Sequence, residues 1–183
     1  MRALPPAPEW KVTRWFNTDA PPSLASLRGR VVVLHAFQML CPGCVARGIP
    51  QAQRVAELFA DAPVAVIGLH TVFEHHDVMG PAALEAFLHE YRIRFPVGVD
   101  VPGEPGDPIP RTMRAYAMRG TPTTVLIDAQ GRVRQHVFGA HDDLLLGAEV
   151  GLLLAETAGV VTRSTASPVS EASCTDTGCT PVP

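Results

Sequence analysis

Val31-Val-Val-Leu-His-Ala-Phe-Gln-Met-Leu-Cys-Pro-Gly-Cys44 is the stretch on which the fold turns. Val31 to Phe37 is apolar and β-branched apart from His35, and a short run of this kind reads as a buried strand. Behind the cysteines, Val45, Ile49, Ala52, Val55, Leu58 and Phe59 recur at helical spacing, with Pro50 inside the pattern and expected to kink it. Cys41 and Cys44 therefore stand where a strand ends and a helix begins. A strand end delivers Cys41 to the carboxyl edge of the sheet, where open α/β sheets place their sites. A helix N-terminus offers free N–H groups and the positive end of a dipole, and both favour a thiolate at Cys41. With two residues between them, Cys44 reaches back to close a small ring. Cys41 is then the attacking sulfur and Cys44 the resolving one. The competing reading is zinc, which wants two further ligands in a matching knuckle.

Working outward, Val64 to His70 reads as a second buried strand, followed by a loop holding Glu74, His75 and His76. Pro81 to Arg92 reads as an amphipathic helix, Phe95 to Val99 as a short strand, and Arg111 to Met118 as a short helix. Thr123 to Asp128 and Val133 to Phe138 read as strands joined by the hairpin turn Asp128-Ala-Gln-Gly131. Asp142 to Thr157 reads as the last helix. Strands alternating with helices, with a hairpin at one edge, predict an α/β fold with a central mixed sheet flanked by helices. The first 30 residues read as an irregular Pro-rich arm anchored by Trp10, Trp15 and Phe16. The expected organisation is one domain over residues 1–160 and a flexible Ser/Thr/Pro-rich tail over 161–183.

Composition agrees with one globular domain. The chain has 183 residues, of which 46% are hydrophobic and 18% charged, enough for a sizeable core. Net charge is -3 and no basic block is present, which argues against a nucleic-acid partner. No run of about 20 apolar residues occurs, so no membrane span is expected. The N-terminal residues lack an apolar signal-peptide core, so a cytoplasmic location is expected. In a reducing compartment, two close cysteine pairs point to redox chemistry or metal.

Four segments in order resemble the thioredoxin superfamily, in the redoxin branch that includes TlpA-like and AhpC/TSA-like proteins. They are Leu27-Arg-Gly-Arg30, the strand ending in Cys41-Pro-Gly-Cys44, Gly120-Thr-Pro-Thr-Thr124, and Ile127-Asp128 with Gly131. The resemblance implies a thioredoxin-like fold and thiol–disulfide exchange. It also implies a cis bond at Thr121–Pro122 facing the dithiol, where the Thr121 backbone would pair with a substrate chain as an added strand does. The plainer reading of Pro122 is a trans proline opening a strand. Substrates would be protein or small-molecule disulfides, with electrons from a dithiol protein or glutathione and no organic cofactor.

The chain departs from the family in places. Thioredoxin carries a buried Asp six residues before its first active cysteine. Here that position is His35, either a proton relay for Cys44 or a core histidine hydrogen-bonded to backbone. Leu40 replaces the usual Trp. The P-x-x-x-T-x-x-C pattern of peroxiredoxins meets Leu34 and Gln38 before Cys41, which argues against a dedicated peroxidase. Gln38 remains a donor that could replace the Thr hydroxyl, so an atypical thiol peroxidase is the alternative. His70 closes a strand expected beside the Cys41 strand. With His75, His76, Glu74 and Asp77 it could tune a thiol or bind metal, as a Cys/His metal-binding or redox-sensing module would; the other reading is a polar loop. In the tail, Cys174 and Cys179 could exchange with the dithiol across a linker whose coil reach is roughly 20–25 Å. They could instead hold a soft metal, or be incidental.

Overall fold

The computed structural model describes residues 4–159. Six strands form one mixed sheet: β1 Val12–Phe16, β2 Val31–Phe37, β3 Val64–His70, β4 Val97–Asp100, β5 Thr123–Ile127 and β6 Val133–Phe138. Their order across the sheet is β1-β4-β3-β2-β5-β6. β2, β3 and β4 run parallel; β1 at one edge and β5–β6 at the other are antiparallel to their neighbours. Every residue of β2 and β3 is buried, as expected of parallel strands covered on both faces.

Alternation along β2 divides the core. Val31, Val33 and Phe37 face helices α1 (Ile49–Leu58), α2 (Pro81–Glu90) and α4 (Asp143–Thr157) through Ile49, Leu84, Leu88, Leu146 and Val150. Val32, Leu34 and Ala36 face α3 (Arg111–Ala115) and the N-terminal segment through Met113, Tyr116, Trp10, Leu24 and Leu27. His35 and His70 lie on the Phe37 side of the sheet, each ring against that of Phe37 and each 1% exposed.

Two local expectations change. The N-terminal arm is not irregular throughout: Val12–Phe16 pairs with β4 as an edge strand, and Trp10 and Phe16 are buried. An edge strand exposed on one side lacks the continuous apolar run that marks a central one, and the surrounding prolines obscure it further. The distortion expected at Pro50 takes the form of a π-turn, Cys44–Gly48, which precedes α1 and leaves Pro50 in its first turn. The Ile49 N–H donates to Cys44 O, five residues back, and proline lacks the N–H that would continue an ordinary ladder. Among the described residues, no helix is long and apolar enough to cross a membrane.

Candidate active site

The turn after β2 is short. The Cys41 N–H donates to Gln38 O at 3.3 Å and the Val45 N–H to Cys41 O at 3.0 Å. Cys41 is partly exposed, Cys44 is buried, and both are free thiols. The Cys44 N–H donates to Cys41 Sγ at 3.3 Å, an interaction that stabilises a thiolate. On its other side, Cys41 Sγ lies 3.4 Å from the Thr121 carbonyl oxygen, which accepts from the protonated thiol. Burial pushes the Cys44 thiol up to about 12, with Cys41 acting in the same direction, so Cys44 keeps its proton at neutral pH until a base removes it.

The Thr121–Pro122 peptide is cis. Its proline ring packs against the dithiol turn at two glycines: a Cβ on Gly43 would lie 3.3 Å from Pro122 Cδ, and one on Gly48 3.2 Å from Pro122 Cβ. Behind it, Thr123 Oγ1 donates to Gly120 O at 2.7 Å and holds the bend. Leu40, next to Cys41, is 58% exposed.

His35 stands opposite Thr124 in the β2–β5 ladder, with Nδ1 3.5 Å from Thr124 Oγ1. Its Nε2 is buried without a hydrogen-bond partner among the described residues. Burial lowers its pKa to about 4, so the ring is neutral at pH 7. The ring lies beneath Gly48 and lines a polar cavity of about 330 Å³ together with Pro122 and Thr124.

Gln38 is engaged elsewhere. Its Oε1 accepts from the Phe73 N–H at 3.2 Å and its Nε2 donates to Glu74 Oε1 at 3.3 Å, which ties the loop after β3 to the turn before Cys41. His70 is the register partner of Phe37 and packs against its ring at 5.4 Å. Burial lowers its pKa to about 4 as well. His75 and His76 are exposed; His75 takes a left-handed backbone (φ 53) before a short 3-10 turn, His76–Val78. Among the described residues, no group of three or more His, Cys, Asp or Glu is gathered as a metal would require. Cys174 and Cys179 lie outside the described residues.

Two residues that the sequence did not single out belong to this neighbourhood. Gly48 is one, and the only local signal for it is a glycine inside a helical pattern. His141 is the other, and it lines the same cavity as His35. Nothing adjacent in sequence marks it, because the contact is made by the loop that joins β6 to α4.

The AhpC/TSA family model matches residues 5–136. Among solved structures, the thioredoxin-like superfamily protein SPOA0173 is 58% identical with a TM-score of 0.80, covering 83% of this chain and 97% of that one. A thiol-disulfide isomerase from Corynebacterium glutamicum is 50% identical with a TM-score of 0.77, covering 81% of this chain and 97% of that one. Protein DipZ of Mycobacterium tuberculosis is 34% identical over 140 residues, which is 74% of this chain and 19% of DipZ. This chain thus spans about a fifth of DipZ. On the family match and on the sheet built around the dithiol, the chain belongs to the AhpC/TSA family and has a thioredoxin-like fold.

Proposed function

We propose that the chain catalyses thiol–disulfide exchange, with Cys41 as nucleophile and Cys44 as resolving thiol. The observation that carries this is the asymmetry of the pair. Cys41 is partly exposed and receives the Cys44 N–H, whereas Cys44 is buried with its pKa pushed up. The Cys41 thiolate attacks a substrate disulfide, forming a mixed disulfide and releasing one substrate thiolate. Cys44 then gives up its proton and attacks the Cys41 sulfur. This closes the Cys41–Cys44 disulfide and frees the second thiolate, so two electrons have passed to the substrate.

Thr121 and Pro122 form the wall against which a substrate chain would pair, through the Thr121 carbonyl beside Cys41 Sγ. His35 lies behind this wall, neutral and with Nε2 free to take a proton in transit. Protein or small-molecule disulfides are the substrates in this reading, and a dithiol protein or glutathione is the electron partner. The engagement of Gln38 with Phe73 and Glu74 supports exchange over peroxide reduction, because among the described residues its amide makes no hydrogen bond to Cys41. Turbidimetric reduction of insulin disulfides tests the reading. The wild type is expected to catalyse it and Cys41→Ser to lose activity; equal rates with and without Cys41 would reject it.

A further inference from the structure

Resolution leaves a proton to be placed. A buried imidazole whose pKa has been lowered to about 4 passes a proton on more readily than it keeps one, so His35 calls for an acceptor beyond it. The cavity beneath Pro122 leads to such a group. Its volume of about 330 Å³ far exceeds what one water molecule needs, and its lining is polar. His35, Gly48 and Pro122 line it, as does His141 from the β6–α4 loop.

His141 is held firmly. Gln51 Nε2 donates to the His141 carbonyl at 2.8 Å and to Asp143 Oδ1 at 2.6 Å, which fixes the loop to α1. The imidazole is 2% exposed, with Nε2 3.1 Å from Glu149 Oε2, an ion-pair distance without hydrogen-bond alignment. Glu149 Oε1 accepts from Gln135 Nε2 at 2.7 Å, so the carboxylate is steadied from β6. With Nε2 turned to a carboxylate, the ring has its Nδ1 left over, buried and without a partner among the described residues. The charged residues that line the cavity with His141 are Arg47, Arg54, Asp142 and Asp143, with Arg54 paired to Asp143 at 2.8 Å.

We propose that His141, steadied by Glu149, accepts the proton that Cys44 releases as it resolves the mixed disulfide. This rests on the exchange mechanism above. The proton passes from Cys44 through His35 Nε2 and cavity water to His141 Nδ1. The imidazolium so formed is balanced by the Glu149 carboxylate, and the proton then leaves to solvent along the polar lining of the cavity, which includes Arg47 and Asp142. When the enzyme disulfide is reduced again, the same route returns the proton. His141 acts through this route without touching the reacting sulfurs, so it is a positioning residue for the proton.

The test follows the two chemical steps separately. Full-length chain carrying Cys174→Ser and Cys179→Ser, so that only the site dithiol reports, is reduced and mixed rapidly with dithiobis(nitrobenzoate). The first thionitrobenzoate released reports Cys41 attack, and the second reports Cys44 resolution. His141→Gln and Glu149→Gln are expected to leave the first release unchanged and to slow the second at least about tenfold at pH 7. Added imidazole buffer is expected to restore the second release in His141→Gly, which repair of a merely structural defect would not do. An unchanged second release in both Gln variants would overturn the proposal. So would equal slowing of both steps without rescue. A wild type that gives no second release would instead reject the exchange mechanism on which the proposal rests.

Discussion

Gly48 lies against the ring of His35 so closely that a Cβ there would come within 2.5 Å of Cε1 and 2.8 Å of Nε2. The dithiol helix can therefore close over the buried histidine only where it has no side chain. Ordinarily glycine costs a helix about 1 kcal/mol relative to alanine, so Gly48→Ala should stabilise an unconstrained helix. Here the overpacking term dominates. Gly48→Ala is expected to destabilise by about 1–3 kcal/mol and to displace His35 or Pro122, as measured by urea denaturation. A variant as stable as the wild type would show that the ring yields at no cost.

Acidification should weaken the fold through His35 and His70. Both have folded-state values lowered by burial to about 4 from an ordinary 6.5. Between those values the unfolded chain binds more protons than the folded one, so stability rises with pH. The contribution is complete above about pH 6.5 and is lost as pH falls towards 4, on the order of 3 kcal/mol per histidine at most. Denaturant midpoints at pH 7.5, 6 and 5 check this. His70→Phe should flatten the decline; an unaltered pH dependence would count against His70 as a source.

Peroxide should oxidise Cys41 no faster than it oxidises an ordinary thiolate. Gln38 bridges the Phe73 N–H and Glu74, and among the described residues its amide makes no hydrogen bond to Cys41. Rapid quenching of the reduced protein mixed with hydrogen peroxide, followed by alkylation and mass measurement of the remaining Cys41 thiol, reads the rate. Oxidation orders of magnitude faster, lost in Cys41→Ser, would make the chain a peroxidase.

Asp100 should matter for stability although it is remote from the sulfurs. Its carboxylate accepts from the Thr112 and Met113 N–H groups at 2.8 and 3.0 Å and from Thr71 Oγ1 at 3.0 Å, joining β4, α3 and the end of β3. Asp100→Ala leaves three buried donors unpaired and is expected to cost about 2–4 kcal/mol in urea denaturation. A loss below about 0.5 kcal/mol would mean that water replaces the carboxylate there.

Much of this architecture is legible in the residues. β2 and β3 announce themselves because strands buried on both faces need unbroken apolar runs, and Val31–Phe37 and Val64–His70 supply them. The dithiol is legible because its position between strand and helix carries meaning that the bare cysteine spacing lacks. β1 is not, since a half-exposed edge strand among prolines has no such run. The π-turn at Cys44–Gly48 is hidden because it arises from how Pro50 and the His35 contact constrain a helix whose side-chain pattern looks ordinary. The engagement of Gln38 by Glu74 and the pairing of His141 with Glu149 depend on loops that the fold brings together. Local sequence carries no mark of either.

The central claim is that Cys41 attacks and Cys44 resolves, and trapping tests it most directly. Cys44→Ser in a Cys174→Ser, Cys179→Ser background, mixed with a disulfide-containing protein, should accumulate a covalent mixed disulfide on Cys41. Intact-mass spectrometry before and after reduction would detect it. The reciprocal Cys41→Ser variant should trap nothing. A mixed disulfide on Cys44 in the reciprocal variant, at a similar rate, would contradict the assigned order of attack.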